Sequence, residues 1–176
     1  MASDRAEIEQ LSLRAVGLKL PMGLRLASLS VEAASVSLLG PPVALEAPED
    51  AAVEAVVTDK DLQDYLNAKG PSGLRDFFVQ LTDGSVHVHA TARKIIEVRA
   101  AAQCHIVVRE GRFLDVALDR VDVIGVNARS LVQGFIDGMN PVFDAESLPL
   151  PTVIDRVEVG DGRMTIFAHA APRLRS

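Results

Sequence analysis

The sequence predicts an α+β fold, in which a long, strongly curved antiparallel β-meander carries two short helices on its concave apolar face. Three observations predict it. Apolar and polar residues alternate over long stretches, Asp-Gly pairs at 83–84 and 161–162 separate such stretches, and only two segments have helical periodicity. Of the 176 residues, 48% are apolar and 24% are charged. We therefore expect one domain over residues 1–176, with its core at about 11–170.

In chain order, the first strands are expected over residues 11–20 and 24–38, and a further strand over 43–47 follows the turn Gly40-Pro41-Pro42. Within residues 11–20 the apolar positions shift by one, from 11, 13 and 15 to 16, 18 and 20. A shift of this kind indicates a β-bulge. Because a second shift occurs between Leu118 and Val121, we expect a strongly curved sheet.

Two helices interrupt the strands. Thr58 and Asp61 have the spacing of a capping box, and Gly70-Pro71 stops the segment that follows, which predicts a helix over about 59–69. The second helix is expected over roughly 128–140, started by Asn127 or by the Ser130 and Gln133 pair and ended by Pro141. Its apolar stripe consists of Leu131, Val132, Phe135, Ile136 and Met139.

Three hairpins are expected. The turn at 83–84 pairs Leu81 with Val86, Val79 with Val88 and Phe77 with Ala90, and the turn at 161–162 pairs Val159 with Met164 and Val157 with Ile166. At Glu110-Gly111-Arg112 we expect a three-residue bulged loop, since only that form puts Leu114, Val116 and Leu118 on the face of Ile106 and Val108.

The polar residues predict no catalytic, metal or cofactor site. His87 and His89 share a strand face, but their cross-strand neighbours are Gln80 and Phe78, which do not complete a metal site. Cys104 is expected on the inner face as a small apolar residue, and no phosphate-binding loop or nucleophile elbow is present. The net charge of −6 and the 4% aromatic content argue against a nucleic-acid partner. We therefore expect a protein that is not an enzyme.

Two stretches resemble the LmeA-like phospholipid-binding proteins of bacterial envelopes. The first runs from Val56 to Leu66 and is similar to the family's strand and capped helix; the second, from Glu146 to Ile166, is similar to its Leu-Pro segment and closing hairpin. The resemblance implies a fold akin to tubular lipid-binding domains, in which a curved sheet and helices enclose an apolar channel. Family members usually carry a signal or anchor. As written, the chain is expected in the cytoplasm, and in the envelope or periplasm if a leader has been removed.

The alternating apolar faces either pack into a filled core or surround a cavity, and the resemblance favours a cavity that holds lipid or a fatty acyl chain. The partner implied is lipid, with transient membrane contact. The lining is expected from both helices, the hairpins and the exit of the second helix: Leu62, Leu66, Phe77, Val79, Val86, Val88, Ile106, Val116, Leu131, Phe135, Met139 and Phe143.

The alternative is a structural or adaptor domain without ligand that forms homo-oligomers or binds another protein through Phe78, Ile154 and Phe167 on its outer face.

Overall fold

The structure, a computed structural model, describes residues 4–40, 44–46, 51–93, 97–122, 128–148 and 151–170. Most of these residues lie in strands, and two helices interrupt them. In chain order the elements are β1 (Asp4–Ile8), β2 (Leu11–Lys19), β3 (Arg25–Ala33), β4 (Val36–Gly40), β5 (Ala44–Glu46), β6 (Ala52–Thr58), α1 (Asp59–Lys69), β7 (Leu74–Thr82), β8 (Ser85–Arg93), β9 (Glu97–Arg109), β10 (Phe113–Asp122), α2 (Ala128–Met139), β11 (Phe143–Asp144), a 3₁₀ turn (Ala145–Ser147), β12 (Thr152–Gly160) and β13 (Arg163–Ala170).

The described strands form three antiparallel sheets. A small sheet has the order β1-β4-β5, a meander sheet the order β11-β10-β9-β8-β7, and a long-range sheet the order β12-β13-β6-β3-β2. The expectation of α+β structure with antiparallel strands and two helices is confirmed, but the expectation of one continuous meander is wrong. The reason is a pairing between distant parts of the chain, since β6 lies beside β13 with Ala52 opposite His169.

The predicted hairpins are confirmed in register. Val79 lies opposite Val88, Val159 opposite Met164, and Val116 opposite Ile106, as the three-residue loop requires. The expected partner of Ala90, Phe77, falls at a bulge between Arg75 and Phe78, where Asp76 has a φ of 55°. A further bulge between Leu118 and Arg120 accounts for the phase shift in β10.

No bulge produces the phase shift in β2. This strand keeps one register with β3 from the Leu11–Ala33 pair to the Lys19–Arg25 pair. The shift occurs at Gly17, whose φ of 71° only glycine adopts readily. The strand expected over 24–38 is divided as well, because a bend at Ala34 separates β3 from β4.

The first helix has the predicted limits. The Thr58 hydroxyl accepts a hydrogen bond from the Asp61 backbone N–H at 3.2 Å, and the Asp61 carboxylate accepts one from the Thr58 N–H at 3.1 Å. Arg25 of β3 donates to the same carboxylate at 2.8 Å. Burial alone would raise the pKa of the Asp61 carboxyl, but the hydrogen bonds from Thr58 and Arg25 outweigh burial and lower it. The start predicted for the second helix, at Asn127, lies outside the described residues.

One apolar core joins the long-range sheet to the meander sheet. Its most completely buried side chains include Leu26, Leu29 and Ile166 from the first and Leu81, Leu114 and Phe143 from the second. We call the face of each sheet that carries these residues its inner face.

Hairpin turns connect the two sheets at one end. Gly84 N–H donates to the Val159 carbonyl at 2.8 Å, and Gly162 N–H donates to the Leu81 carbonyl at 2.9 Å. At the next turn of the meander sheet, the Gly111 carbonyl accepts from Ile154 N–H at 2.6 Å. These main-chain hydrogen bonds close that end of the core.

Ile154 was expected on the outer face, and this is wrong. Its side chain is buried, with 3% of its surface exposed. The register of β12 shifts between Ile154 and Arg156, so the residues before the bulge face inward with Ala168 as partner. Phe167 is half-buried, and the Arg156 guanidinium lies 3.9 Å from its ring centroid.

Candidate functional site

A cavity of about 330 Å³ lies between the inner face of the meander sheet and the two helices. The volume is near the lower end of the ~300–1,000 Å³ that is typical of ligand sites. The sheet and Val142, the residue before β11, contribute Leu74, Phe77, Val79, Val86, Val88, Ala90, Ala100, Ala102, Cys104, Ile106, Leu114, Val116, Val142 and Phe143. The helices and the segment after α1 contribute Leu62, Tyr65, Leu66, Lys69, Pro71, Val132, Phe135, Ile136, Gly138 and Met139.

Eleven of the twelve residues that the sequence singled out line this one cavity. They are Leu62, Leu66, Phe77, Val79, Val86, Val88, Ile106, Val116, Phe135, Met139 and Phe143. The twelfth, Leu131, lies in α2, and its side chain is outside the described part of the structure.

Among the described residues, three lining residues come from the long-range sheet or the residue just before it. Met164 and Ile166 of β13 and Leu24, just before β3, close the cavity from the side of the long-range sheet. Sequence patterning does not reveal them, because nothing local to the closing hairpin indicates which sheet it packs against. Their burial, 4%, 1% and 3% exposed, makes this wall part of the core.

Among the described residues, the cavity wall is apolar apart from three side chains. Tyr65 and Lys69 lie one turn apart on α1, and Cys104 lies on β9. Burial raises the pKa of the Cys104 thiol to about 11, with a smaller contribution from the charge of Asp119. The thiol is therefore protonated at neutral pH and acts as a small apolar group, as predicted.

Side-chain amides on α1 and just after α2 cover edges of the meander sheet. Asn67 of α1 accepts from Phe77 N–H at 2.9 Å and donates to the Phe77 carbonyl at 3.0 Å. Gln63 accepts from Val79 N–H at 3.3 Å. At the other edge, Asn140 accepts from Val116 N–H at 2.8 Å and donates to its carbonyl at 2.9 Å. Each amide occupies the place of a neighbouring strand and fixes a helix over the cavity.

The titratable groups lie mainly on the outer faces. His105 contacts Asp119 at 2.6 Å and His169 contacts Asp155 at 2.7 Å, and all four side chains are partly exposed. His87 lies opposite Gln80, as expected from the hairpin. Across the described residues, no group of three or more His, Cys, Asp or Glu is arranged to hold a metal ion.

No helix in the described ranges combines the length and hydropathy needed to cross a membrane.

Comparison with known proteins adds a family. Neither the curated proteins nor the solved structures give a significant match to this chain. A family model described as LmeA-like phospholipid-binding matches residues 5–169 of the 176. The match spans both helices, all described cavity-lining residues and both of the large sheets apart from Ala170 at the end of β13. The chain belongs to the LmeA-like phospholipid-binding family.

Proposed function

We propose that the protein binds a single acyl chain of a lipid in the cavity between the meander sheet and the two helices, without catalysis. The observation that supports this most directly is the cavity wall, whose described residues are apolar except for Tyr65, Lys69 and Cys104. A wall of this composition does not attract water or a polar metabolite, whereas it matches the surface of a hydrocarbon chain. The phospholipid-binding description of the family points to the same class of ligand.

The volume favours one chain. If a methylene group takes about as much space as a water molecule in the liquid, ~30 Å³, a cavity of about 330 Å³ holds roughly eleven of them. Burying eleven methylenes at ~0.8 kcal/mol each is worth about 9 kcal/mol, against association costs of at least ~4 kcal/mol. What remains corresponds to sub-millimolar binding for a bare chain, so contacts with the rest of the lipid are needed for tighter binding.

The role that follows is lipid carriage or maintenance of the cell envelope, with transient membrane contact for loading and release. A chain of this length leaves the head group and any second chain of a phospholipid outside the cavity. Both remain in contact with solvent or with a membrane surface.

Native mass spectrometry of protein purified without detergent tests the proposal, because it reports bound lipid mass and oligomeric state together. Phe135→Asp places a charge in the cavity wall, whereas Phe78→Asp places the same charge on a side chain that is 54% exposed on the outer face. We expect co-purified lipid in the wild type and in Phe78→Asp, and its loss in Phe135→Asp.

Circular dichroism of both variants checks that the fold is retained. The proposal would be contradicted if no preparation contained bound lipid and Phe135→Asp bound an added fluorescent fatty acid as well as the wild type does.

A second candidate function is supported by exposed apolar side chains on β2. Val16 is 73% exposed and Leu13 is 47% exposed, and β2 is the edge strand of the long-range sheet. An apolar edge strand is a site for pairing with another chain, so these residues favour an adaptor role or a homo-oligomer. Light scattering over a wide concentration range tests it, and a strict monomer would argue against the homo-oligomer.

A further inference from the structure

The cavity has a closed end and an open end. Along β7, the inner-face residues become more exposed from Leu81 at 1% through Val79 at 3% to Phe77 at 6%, and Leu74 at the start of the strand is half-buried. The end near Leu81 is closed by the hydrogen bond from Gly162 N–H. The cavity therefore opens where β7 begins and α1 ends.

Lys69 lies at this open end. It is the last residue of α1, its side chain is exposed, and it is followed by Pro71 and Leu74 in the same wall. Of all the described residues that line the cavity, Lys69 alone carries a charge. Tyr65, one turn earlier on the same helix, adds a hydroxyl to this side of the wall.

The Lys69 ammonium has no ion pair or hydrogen bond to the described residues. The other lysine of α1 shows the contrast, because Lys60 contacts Asp64 at 2.8 Å on the exposed side of the helix. A long side chain at such a position lays its methylenes along the apolar wall and holds its charge at the mouth. The charge is thus available to a group that protrudes from the cavity.

We propose that Lys69 binds an anionic group at the head of the bound acyl chain, so that the ligand is an anionic lipid inserted with its tail toward Leu81. The inference rests on the proposed function and deepens it. A fatty-acid carboxylate and a phospholipid phosphate share the required chemistry, a negative oxygen group joined to a chain of suitable length. A partly exposed ion pair of this kind is worth up to ~1 kcal/mol, which is about fivefold in affinity.

Isothermal titration calorimetry with lipids of one chain length isolates this contact. The probes are lauroyl lysophosphatidylglycerol and laurate, which each carry a negative oxygen group, and monolauroylglycerol, which has the same acyl chain and no charge. The variants are Lys69→Gln, Lys69→Arg, and Lys60→Gln as a control with the same change in net charge on the same helix.

We expect the wild type to bind the anionic lysolipid about fivefold more tightly than monolauroylglycerol. Lys69→Gln should abolish this preference while its affinity for monolauroylglycerol stays unchanged, whereas Lys69→Arg and Lys60→Gln should keep it. Tight laurate binding that also depends on Lys69 identifies a fatty acid as a source of the anion. Laurate binding that is indifferent to Lys69 assigns the anion to the phospholipid phosphate.

Two results would overturn the inference. Lys69→Gln could retain the preference, or the wild type could bind the anionic lysolipid and monolauroylglycerol equally. Either result leaves acyl-chain binding in place and removes the role of Lys69. If the wild type binds none of the three probes, the proposed function itself fails together with the inference.

Discussion

Substitution of Ala102 by leucine should shorten the longest acyl chain that the cavity accommodates. Ala102 lines the cavity from the middle of β9, with Val88 and Val121 as its neighbours on the adjacent strands. Leucine adds three carbon atoms, which take the place of about three of the roughly eleven methylene groups that a 330 Å³ cavity holds. Each buried methylene contributes ~0.8 kcal/mol, or about fourfold in affinity.

Saturated fatty acids of six to fourteen carbons, titrated by calorimetry below their aggregation concentrations, provide the assay. For the wild type, we expect the affinity to rise about fourfold per carbon up to laurate and then to level off. Ala102→Leu should level off about three carbons earlier, near nonanoate, and bind laurate roughly sixtyfold more weakly.

Ala101→Leu is the matched control, because Ala101 is the preceding residue of β9 and faces outward with His89 and Asp122 as neighbours. It should reproduce the wild-type profile. The reasoning is refuted if Ala102→Leu has the same length dependence as the wild type, or if both variants shift equally.

Three further predictions concern stability and reactivity. Asp61→Asn should cost about 1–3 kcal/mol in urea denaturation at pH 7, because it removes the charge that Arg25 contacts at 2.8 Å. Folding lowers the pKa of the Asp61 carboxyl, so the stability that this carboxylate contributes is complete above the ordinary carboxyl pKa of about 4 and is lost as the pH falls through the lower pKa of the folded state. A loss of stability in Asp61→Asn that is independent of pH would contradict this. Gly111→Ala should lower the free energy of unfolding by about 1–3 kcal/mol more than Gly84→Ala in the same assay. Both positions have positive φ, but only at Gly111 would a Cβ lie 2.9 Å from a Val153 methyl group. Equal losses of stability in the two variants would refute the role of this contact. Cys104 has a pKa of about 11, so its reaction with a maleimide should become about tenfold faster for each pH unit from pH 8 to 10, as the thiolate fraction rises. Bound laurate should slow this reaction. A rate that levels off near pH 9 would contradict the raised pKa.

Short-range signals in the sequence predicted their elements well. The capping box at Thr58 and the Gly70-Pro71 stop gave the limits of α1, and the Asp-Gly turns gave the registers of two hairpins. These features act over a few residues, so neighbouring sequence determines them. The hairpin residues that line the cavity could be predicted as well, because once the register of a hairpin is known, the alternation of side chains fixes which residues share its inner face.

Long-range pairing could not be predicted in the same way. Nothing near Val53 indicates that Ala168 will lie opposite it, and this pairing is what separates the strands into two large sheets. The bulge beside Asp155 carries no glycine, so the inward turn of Ile154 had no signal either. The position of Lys69 in the cavity wall did have a signal in the sequence. Lys69 follows Leu62 by seven residues and thus continues the apolar stripe of α1.

The amides of Asn67 and Asn140 determine where the meander sheet stops growing. A strand added at an edge presents a fresh row of donors and acceptors, so that pairing can continue to further strands or to a second molecule. A side-chain amide pairs with the backbone N–H and C=O of one edge residue and presents no new row of backbone donors and acceptors to a further strand. Helices therefore complete the wall where another strand would otherwise stand, and the width of the interior depends on the size of helix side chains instead of on strand number. Preference for thinner or bulkier lipid tails can accordingly change through substitutions such as those at Leu66 or Phe135, while the hydrogen-bonded sheet is left as it is.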